Sequence, residues 1–323
     1  MDLMVLFALP GIMLLIWGIV ARRRQDQRPI APSLPPAKIE DGRAFPFAAY
    51  DAPVRAGTAR IVLGILLAVG GGFFGLVCDA FRHWPGMSNG RPLRVHGRPR
   101  LSRRARGTGW HDDARPGLER MTAWTRVRLG ERWLAAARAE HASVPAFRQL
   151  GNQLGAAGAP ASLVLRCELA AADEIRHARR CFALARAYAG IDWTAGELPR
   201  SDAAAVDLPA LAVESLIDGC LGEGIAADLA RAGAGRAADP VIAESLEMIA
   251  NDEAVHAELA WDVVAFCLGR GDGRVGRALT AAARAIRAGA SPGPIDLPRA
   301  ACRDLARARV ASVRTRLATL MPA

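Results

Sequence analysis

Lysine is almost missing from this chain of 323 residues: Lys38 is the only one, and the remaining fixed positive charge is carried by arginine. A formal net charge of +10 would ordinarily point to an anionic partner. Beside so much alanine, a skew this complete reflects overall composition rather than selection for phosphate binding, so nucleic acid is only weakly supported as a partner. Paired cysteine spacing is missing too. Cys78, Cys167, Cys181, Cys220, Cys267 and Cys302 are scattered without a CxxC, which excludes a disulfide framework and a thiolate zinc site and leaves small buried hydrophobes in a reducing setting. The helical segments from about Leu118 onward contain no convincing β run. With 51% apolar residues, the chain can bury at least one core of roughly 100–200 residues.

Charge is also missing from two long stretches near the start. Leu3 to Val20, LMVLFALPGIMLLIWGIV, is uncharged and followed at once by Arg22, Arg23 and Arg24. A run of this length crosses roughly 30 Å of hydrocarbon, and its positive charge follows rather than precedes it, which marks an uncleaved anchor rather than a secretory signal. Ile61 to Cys78, IVLGILLAVGGGFFGLVC, is equally long but carries five glycines, suited to close helix packing or a hairpin with the first. The expected organisation is an anchor at 1–24, a Pro/Ala-rich basic linker at 25–57, and a second transmembrane or re-entrant segment at 58–80. A basic juxtamembrane arm at 81–117 leads to a helical bundle at 118–270 and accessory helices at 271–323.

The run RPLRVHGRPRLSRRAR, Arg91 to Arg106, reads as a flexible arm near anionic headgroups. It conflicts with the arginines after the first span, because both clusters cannot lie inside if both segments cross. Either the Gly-rich segment is re-entrant or interfacial, or one cluster has been translocated. Unpaired cysteines, suited to a reducing compartment, set the expectation that the helical domain lies on the cytoplasmic face of an inner membrane.

Helical spacing of apolar residues predicts helices near 131–156, 159–189, 207–235 and 239–270, then 273–289 and 296–320. In the last, Ala306, Val310, Val313, Leu317 and Leu320 form an apolar stripe opposite solvated arginines. Two of these segments share a motif. AADEIRHARR (Ala171 to Arg180) and NDEAVHAELA (Asn251 to Ala260) both read Asp-Glu-x-x-His-Ala, 79 residues apart. Glu174 and His177 share one helical face, as do Glu253 and His256. The preceding segments each carry a central acid, Glu140 in AARAEHASVPAF and Glu223 in CLGEGIAADLA. Their offset of 83 requires a small length difference, expected in the loops.

Two duplicated helix hairpins then bring four glutamates and two histidines to similar depth. Four ionised carboxylates in a bundle interior repel one another and lose hydration, at several kcal/mol per buried ion. Two divalent cations would balance them, and the oxygen and nitrogen donors suit iron, with manganese as the alternative, over a thiolate-preferring metal. Small residues one turn away leave room: Ala136, Ala137 and Val144 near Glu140; Ala170, Ala171 and Ala178 near Glu174; Gly219, Cys220, Ala226 and Ala227 near Glu223.

At AEHAS, DEIRH, GEG and DEAVH the chain resembles the ferritin-like di-iron carboxylate superfamily, over about 118–270. The resemblance implies an all-α, ferritin-like four-helix bundle. It implies that Glu140, Glu174, His177, Glu223, Glu253 and His256 hold two irons, with Glu174 and Glu253 bridging. It also implies that Asp173 and Asp252 each accept a hydrogen bond from the opposite histidine, fixing its tautomer.

The other polar residues near the motifs have plainer readings. Glu214 lies nine residues before Glu223, on the opposite face of a regular helix, and is a polar residue outside the cluster. His141 points about 100° away from Glu140, to an exposed or capping position. His83, His96 and His111 carry no spacing signal. Pro145 is expected to kink its helix beside Glu140.

The expected activity is that of an oxygen-dependent oxidase or hydroxylase using dioxygen and an electron donor, attached to membrane lipid. The superfamily includes tRNA-modifying and quinone-ring hydroxylases, and no substrate-pocket motif chooses between them. Iron oxidation or storage is the second reading. A non-catalytic membrane adaptor stabilised by its metal is the third.

Overall fold

The computed structural model describes residues 91–95, 97–198, 206–270, 273–287 and 297–321. Both apolar runs, the linker, the arm as far as residue 90, and with them His83, His96 and Cys78, lie outside the described residues. Among the described residues no helix is long and apolar enough to cross a membrane.

The described chain is mostly helical. Helix α1 spans Ala123–Ala156 and α2 spans Ala161–Ala189. Helix α3, Leu208–Glu214, runs directly into a π-helical segment, Ser215–Glu223, and on into α4, Gly224–Ala234. Helix α5 spans Pro240–Arg270, α6 Gly273–Ala285 and α7 Arg299–Leu320. Local chemistry sets the ends. Thr122 caps α1 by accepting from the Thr125 amide at 3.2 Å. Gly190 closes α2 in the left-handed region, φ 68°, and donates its amide to Arg186 O. Asp239 accepts from the Val241 and Ile242 amides at 2.8 and 3.2 Å, with Pro240 at the first helical position of α5.

Helix α1 begins eight residues before the predicted start at 131, because the cap at Thr122 rather than the first strongly periodic residue sets its origin. It runs unbroken through Pro145. One core cluster joins Trp133 and Leu134 of α1 to Phe182 and Leu184 of α2 and to Leu246 and Ile249 of α5. Antiparallel α2 and α5 meet where their motifs lie, with Asp173 opposite His256 and His177 opposite Asp252.

The basic stretch 91–106 is more ordered than an arm. Strand β1 (Leu93–Val95) pairs antiparallel with β2 (Arg98–Arg100), while β3 (Arg104–Arg106) pairs with β4 (Trp193–Ala195). Leu93 and Val95 are buried against Ala142 and Ala146 of α1. Arg138 of α1 donates to the Ser102 carbonyl at 2.8 Å. On α7, Ala306, Val310, Val313 and Leu317 are buried and Leu320 is exposed. Three arginines on that helix are not simply solvated: Arg309 makes a bidentate pair with Asp228 of α4, Arg316 one with Glu258 of α5, and Arg314 donates to the Ala283 and Ile286 carbonyls.

Candidate metal centre

All six predicted ligand residues meet in the interior. Glu140 comes from α1, Glu174 and His177 from α2, Glu223 from the last position of the π-helical segment, and Glu253 and His256 from α5. Five of them are 0% exposed and His256 is 2% exposed. They form two overlapping groups: Glu140, Glu174, His177 and Glu253 in one, Glu174, Glu223, Glu253 and His256 in the other. Within each, one ligand atom per residue lies within 4.8 Å of the rest. Glu174 and Glu253 belong to both groups.

The histidines face inward by the same nitrogen. His177 Nδ1 is 3.7 Å from Glu174, 3.8 Å from Glu253 and 4.0 Å from Glu140. His256 Nδ1 is 3.3 Å from Glu174 and 3.9 Å from Glu253. Both Nε2 atoms face the other way. His177 Nε2 lies 2.9 Å from Asp252, and His256 Nε2 lies 3.2 Å from Asp173, so each motif's aspartate serves the opposite motif's histidine. Arg176 ties the two aspartates together, donating to Asp173 at 2.6 Å and Asp252 at 3.1 Å. An Nε2–H given to a carboxylate leaves the Nδ1 lone pair free to point inward.

Every carboxylate oxygen of Glu140, Glu174, Glu223 and Glu253, and both inward Nδ1 atoms, are buried without a well-formed hydrogen bond. Native interiors satisfy nearly all buried polar groups, so this concentration requires an explanation. Burial pushes the Glu140 carboxyl well above its usual range, helped by Glu174 and Glu223. Glu253 is raised in the same way, by burial and then by Glu223. Burial lifts Glu223 to about 7. Burial alone would raise Glu174 as well, but His177 and His256 beside it hold it low. Burial would lower His256, yet Asp173 and Glu174 push it up to about 10.

Without a metal, protons would have to supply the positive charge that the cluster demands. Cations can replace them: two dications match four carboxylates, and the oxygen and imidazole donors fit iron or manganese. Among the described residues no thiol joins either group. Cys181 is buried, and desolvation followed by the Glu140 charge holds it protonated.

The remaining residues resolve differently. Glu214 stays outside both groups and feels Arg91, Asp218 and Arg94 instead, burial raising its carboxyl. His141 is neither exposed nor a cap; its ring stands edge-on to Trp110 at 4.7 Å between centroids. His111 Nε2 lies 2.6 Å from the Trp193 carbonyl. Pro145 does not displace Glu140, which lies in the cluster.

Two features escape sequence reasoning. The π-helical segment ending at Glu223 is one, with Gly219 and Gly222 in SLIDGCLGE its only visible hint. Arg176 is the other, although its three-residue spacing from Asp173 was available as a signal. No protein-family model, curated protein or solved structure matches the chain, so its chemistry is read from these residues and their geometry.

Proposed function

We propose that residues 118–270 form a ferritin-like four-helix bundle holding two irons, or two manganese ions, and that the protein is a membrane-anchored, oxygen-dependent oxidase or hydroxylase. One observation carries this reading: two buried four-residue groups share Glu174 and Glu253, and their inward donors lack well-formed hydrogen bonds. Glu174 and Glu253 would bridge, Glu140 and His177 would complete one ion's shell, and Glu223 and His256 the other's. Two ferrous ions bound there would supply electrons to dioxygen.

The chain's own residues prepare the site. Asp252 and Asp173 hold the imidazoles with Nδ1 turned inward, and Arg176 keeps both aspartates in place. Complete burial of the carboxylates excludes bulk water, which strengthens every charge interaction inside. The first apolar run, and the second if it crosses, would anchor the bundle in an inner membrane on its cytoplasmic side.

Metal analysis of the purified full chain followed by ferrous loading and exposure to dioxygen tests the proposal. The expected result is about two irons per chain and oxygen consumption that stops until a reductant is added. Uptake of tens of irons per chain without reductant would establish storage. Stable zinc binding with no oxygen reaction after iron loading would leave the adaptor reading. Proteolysis of sealed, oriented vesicles tests the membrane placement, and cleavage of the helical domain from the outer side alone would reverse it.

A further inference from the structure

The two metal groups are built on unequal backbones. Glu140 projects from a regular helix, whereas Glu223 ends a π-helical segment of nine residues, Ser215–Glu223. π-Helical turns are rare and occur mostly as single bulges at functional sites, so a segment this long must be held by contacts from outside itself.

Those contacts converge on Asp218 and Gly219, in the middle of the segment. Asp218, 6% exposed, accepts two hydrogen bonds from one guanidinium, Arg94 Nε at 2.8 Å and Arg94 Nη2 at 2.7 Å. Such a fork fixes orientation as well as distance. Arg94 is itself anchored, because its neighbours Leu93 and Val95 are buried on Ala142 and Ala146 of α1 and its Nη1 donates to Gly97 O at 3.3 Å. On the other side Gly219 lies so near α5 that a Cβ there would come within 2.2 Å of the Ala260 Cβ. The segment is gripped between β1 and α5. Asp218 precedes Glu223 by five residues, the span of one π-type backbone hydrogen bond, so what fixes Asp218 fixes the turn that delivers Glu223.

We infer that Arg94 is a positioning residue for the second metal: by holding Asp218 against β1 it sets the π-helical turn from which Glu223 reaches Glu174, Glu253 and His256. The inference rests on the two-metal reading. It makes that site asymmetric, with the Glu140 group indifferent to Arg94 and the Glu223 group dependent on it. Strand β1 thereby acquires a role that the charge of its stretch does not announce.

Cobalt(II) titration of the full chain in detergent, followed by visible absorbance and calorimetry, reads the two equivalents separately. In Arg94→Gln the first equivalent should bind as in the wild type, and the second about tenfold to a hundredfold more weakly, the usual loss for an outer partner of a ligand. Asp218→Asn should do the same. The double variant should be no worse than either single one, because both remove one interaction. Arg94→Lys, which keeps the charge but not the fork, should fall between. Arg316→Gln, which removes a bidentate pair elsewhere on the bundle, should change neither equivalent. Unchanged binding of the second equivalent in Arg94→Gln would overturn the inference, and so would equal weakening of both, which signals general destabilisation. A wild type that takes up fewer than two equivalents would instead remove the two-metal reading beneath it.

Discussion

The two helix hairpins contribute the same side chains by different means. In the first, α1 and α2, Glu140 sits on a continuous α-helix and sixteen helical residues follow it before the turn at 157–160. In the second, Glu223 ends the π-helical segment, only eleven helical residues follow it in α4, and the turn is 235–239. The four-residue difference in motif spacing is therefore five fewer helical residues offset by one more in the turn, so it lies mainly in the helices rather than, as the sequence suggested, in the loops. The duplicated motif fixes which atoms meet, and backbone geometry decides how firmly each is delivered.

The largest expected effect tests what the hairpins share. Glu174→Ala from the first and Glu253→Ala from the second should each lose both metals, because each belongs to both groups. Glu140→Gln and Glu223→Gln should each lose one. Metal content by mass spectrometry reads this, with Glu214→Gln and His141→Ala as the variants expected to keep the wild-type value. Full retention of metal in Glu253→Ala would dissolve the symmetry between the hairpins.

Metal removal comes next. Without metal, burial raises Glu140 and Glu253 above the ordinary 4.5 and Glu223 to about 7, while Asp173 and Glu174 outweigh burial and raise His256 from 6.5 to about 10. Glu174, held low, is ionised folded and unfolded above about pH 5.5 and adds no slope there. The folded state then binds more protons than the unfolded chain, so stability is greatest at the acid end and is lost as pH rises from about 5.5 through the values near 7 and 10 to which Glu223 and His256 are raised. The metal-free melting temperature should fall across that window by more than the roughly 2–4 °C that one kcal/mol represents in a domain of 150–250 residues. Saturating metal should reverse the trend, since binding displaces protons and tightens with pH. A flat profile without metal would mean that the carboxylates reach water.

Much of this was legible in the sequence because chemistry and periodicity agreed. Two DExxH copies placed Glu174, His177, Glu253 and His256, and the matching mid-helix position selected Glu223 over Glu214. Glu214 and Glu223 are not related as opposite faces of a regular helix, since the residues between them are π-helical. Beyond Gly219 and Gly222 no local pattern forecasts that segment, which tertiary contacts hold: Arg94 on Asp218, and Ala260 beside Gly219. The strands at 93–106 were missed for a related reason: three-residue strands rich in arginine carry almost no periodic signal, and their order comes from docking of β1 on α1 and pairing of β3 with β4.

A smaller effect separates packing from ligand delivery. Each hairpin has a glycine where backbones nearly touch: a Cβ on Gly130 would meet the Ala189 Cβ at 2.7 Å, and one on Gly219 would meet the Ala260 Cβ at 2.2 Å. Gly130→Ala and Gly219→Ala should each destabilise by about 1–3 kcal/mol, the usual cost of overpacking. Only Gly219→Ala should also weaken the second cobalt equivalent, because Gly130 lies ten residues, almost three helical turns, from Glu140. Denaturant midpoints and cobalt titration on the same samples make the comparison. Weakened cobalt binding in both would place the asymmetry in overall stability rather than in the π-helical turn.

The smallest prediction asks whether the first hairpin has the slack that the second lacks. Gly155 lies in the last turn of α1, exposed, with nothing within 4 Å of where its Cβ would stand. Its backbone does not need the left-handed freedom that Gly158, at φ 72°, uses in the turn that follows. Alanine there restricts the unfolded chain and meets no neighbour, so Gly155→Ala should stabilise by about 0.5–1 kcal/mol. That corresponds to a rise of about 1–4 °C in melting temperature. Both cobalt equivalents should stay unchanged, because the turn at 157–160 is more than ten residues from Glu140 and from Glu174. A loss of stability would show that the end of α1 is held as tightly as the π-helical segment, and the contrast between the hairpins would then be confined to the residues around Asp218 and Gly219.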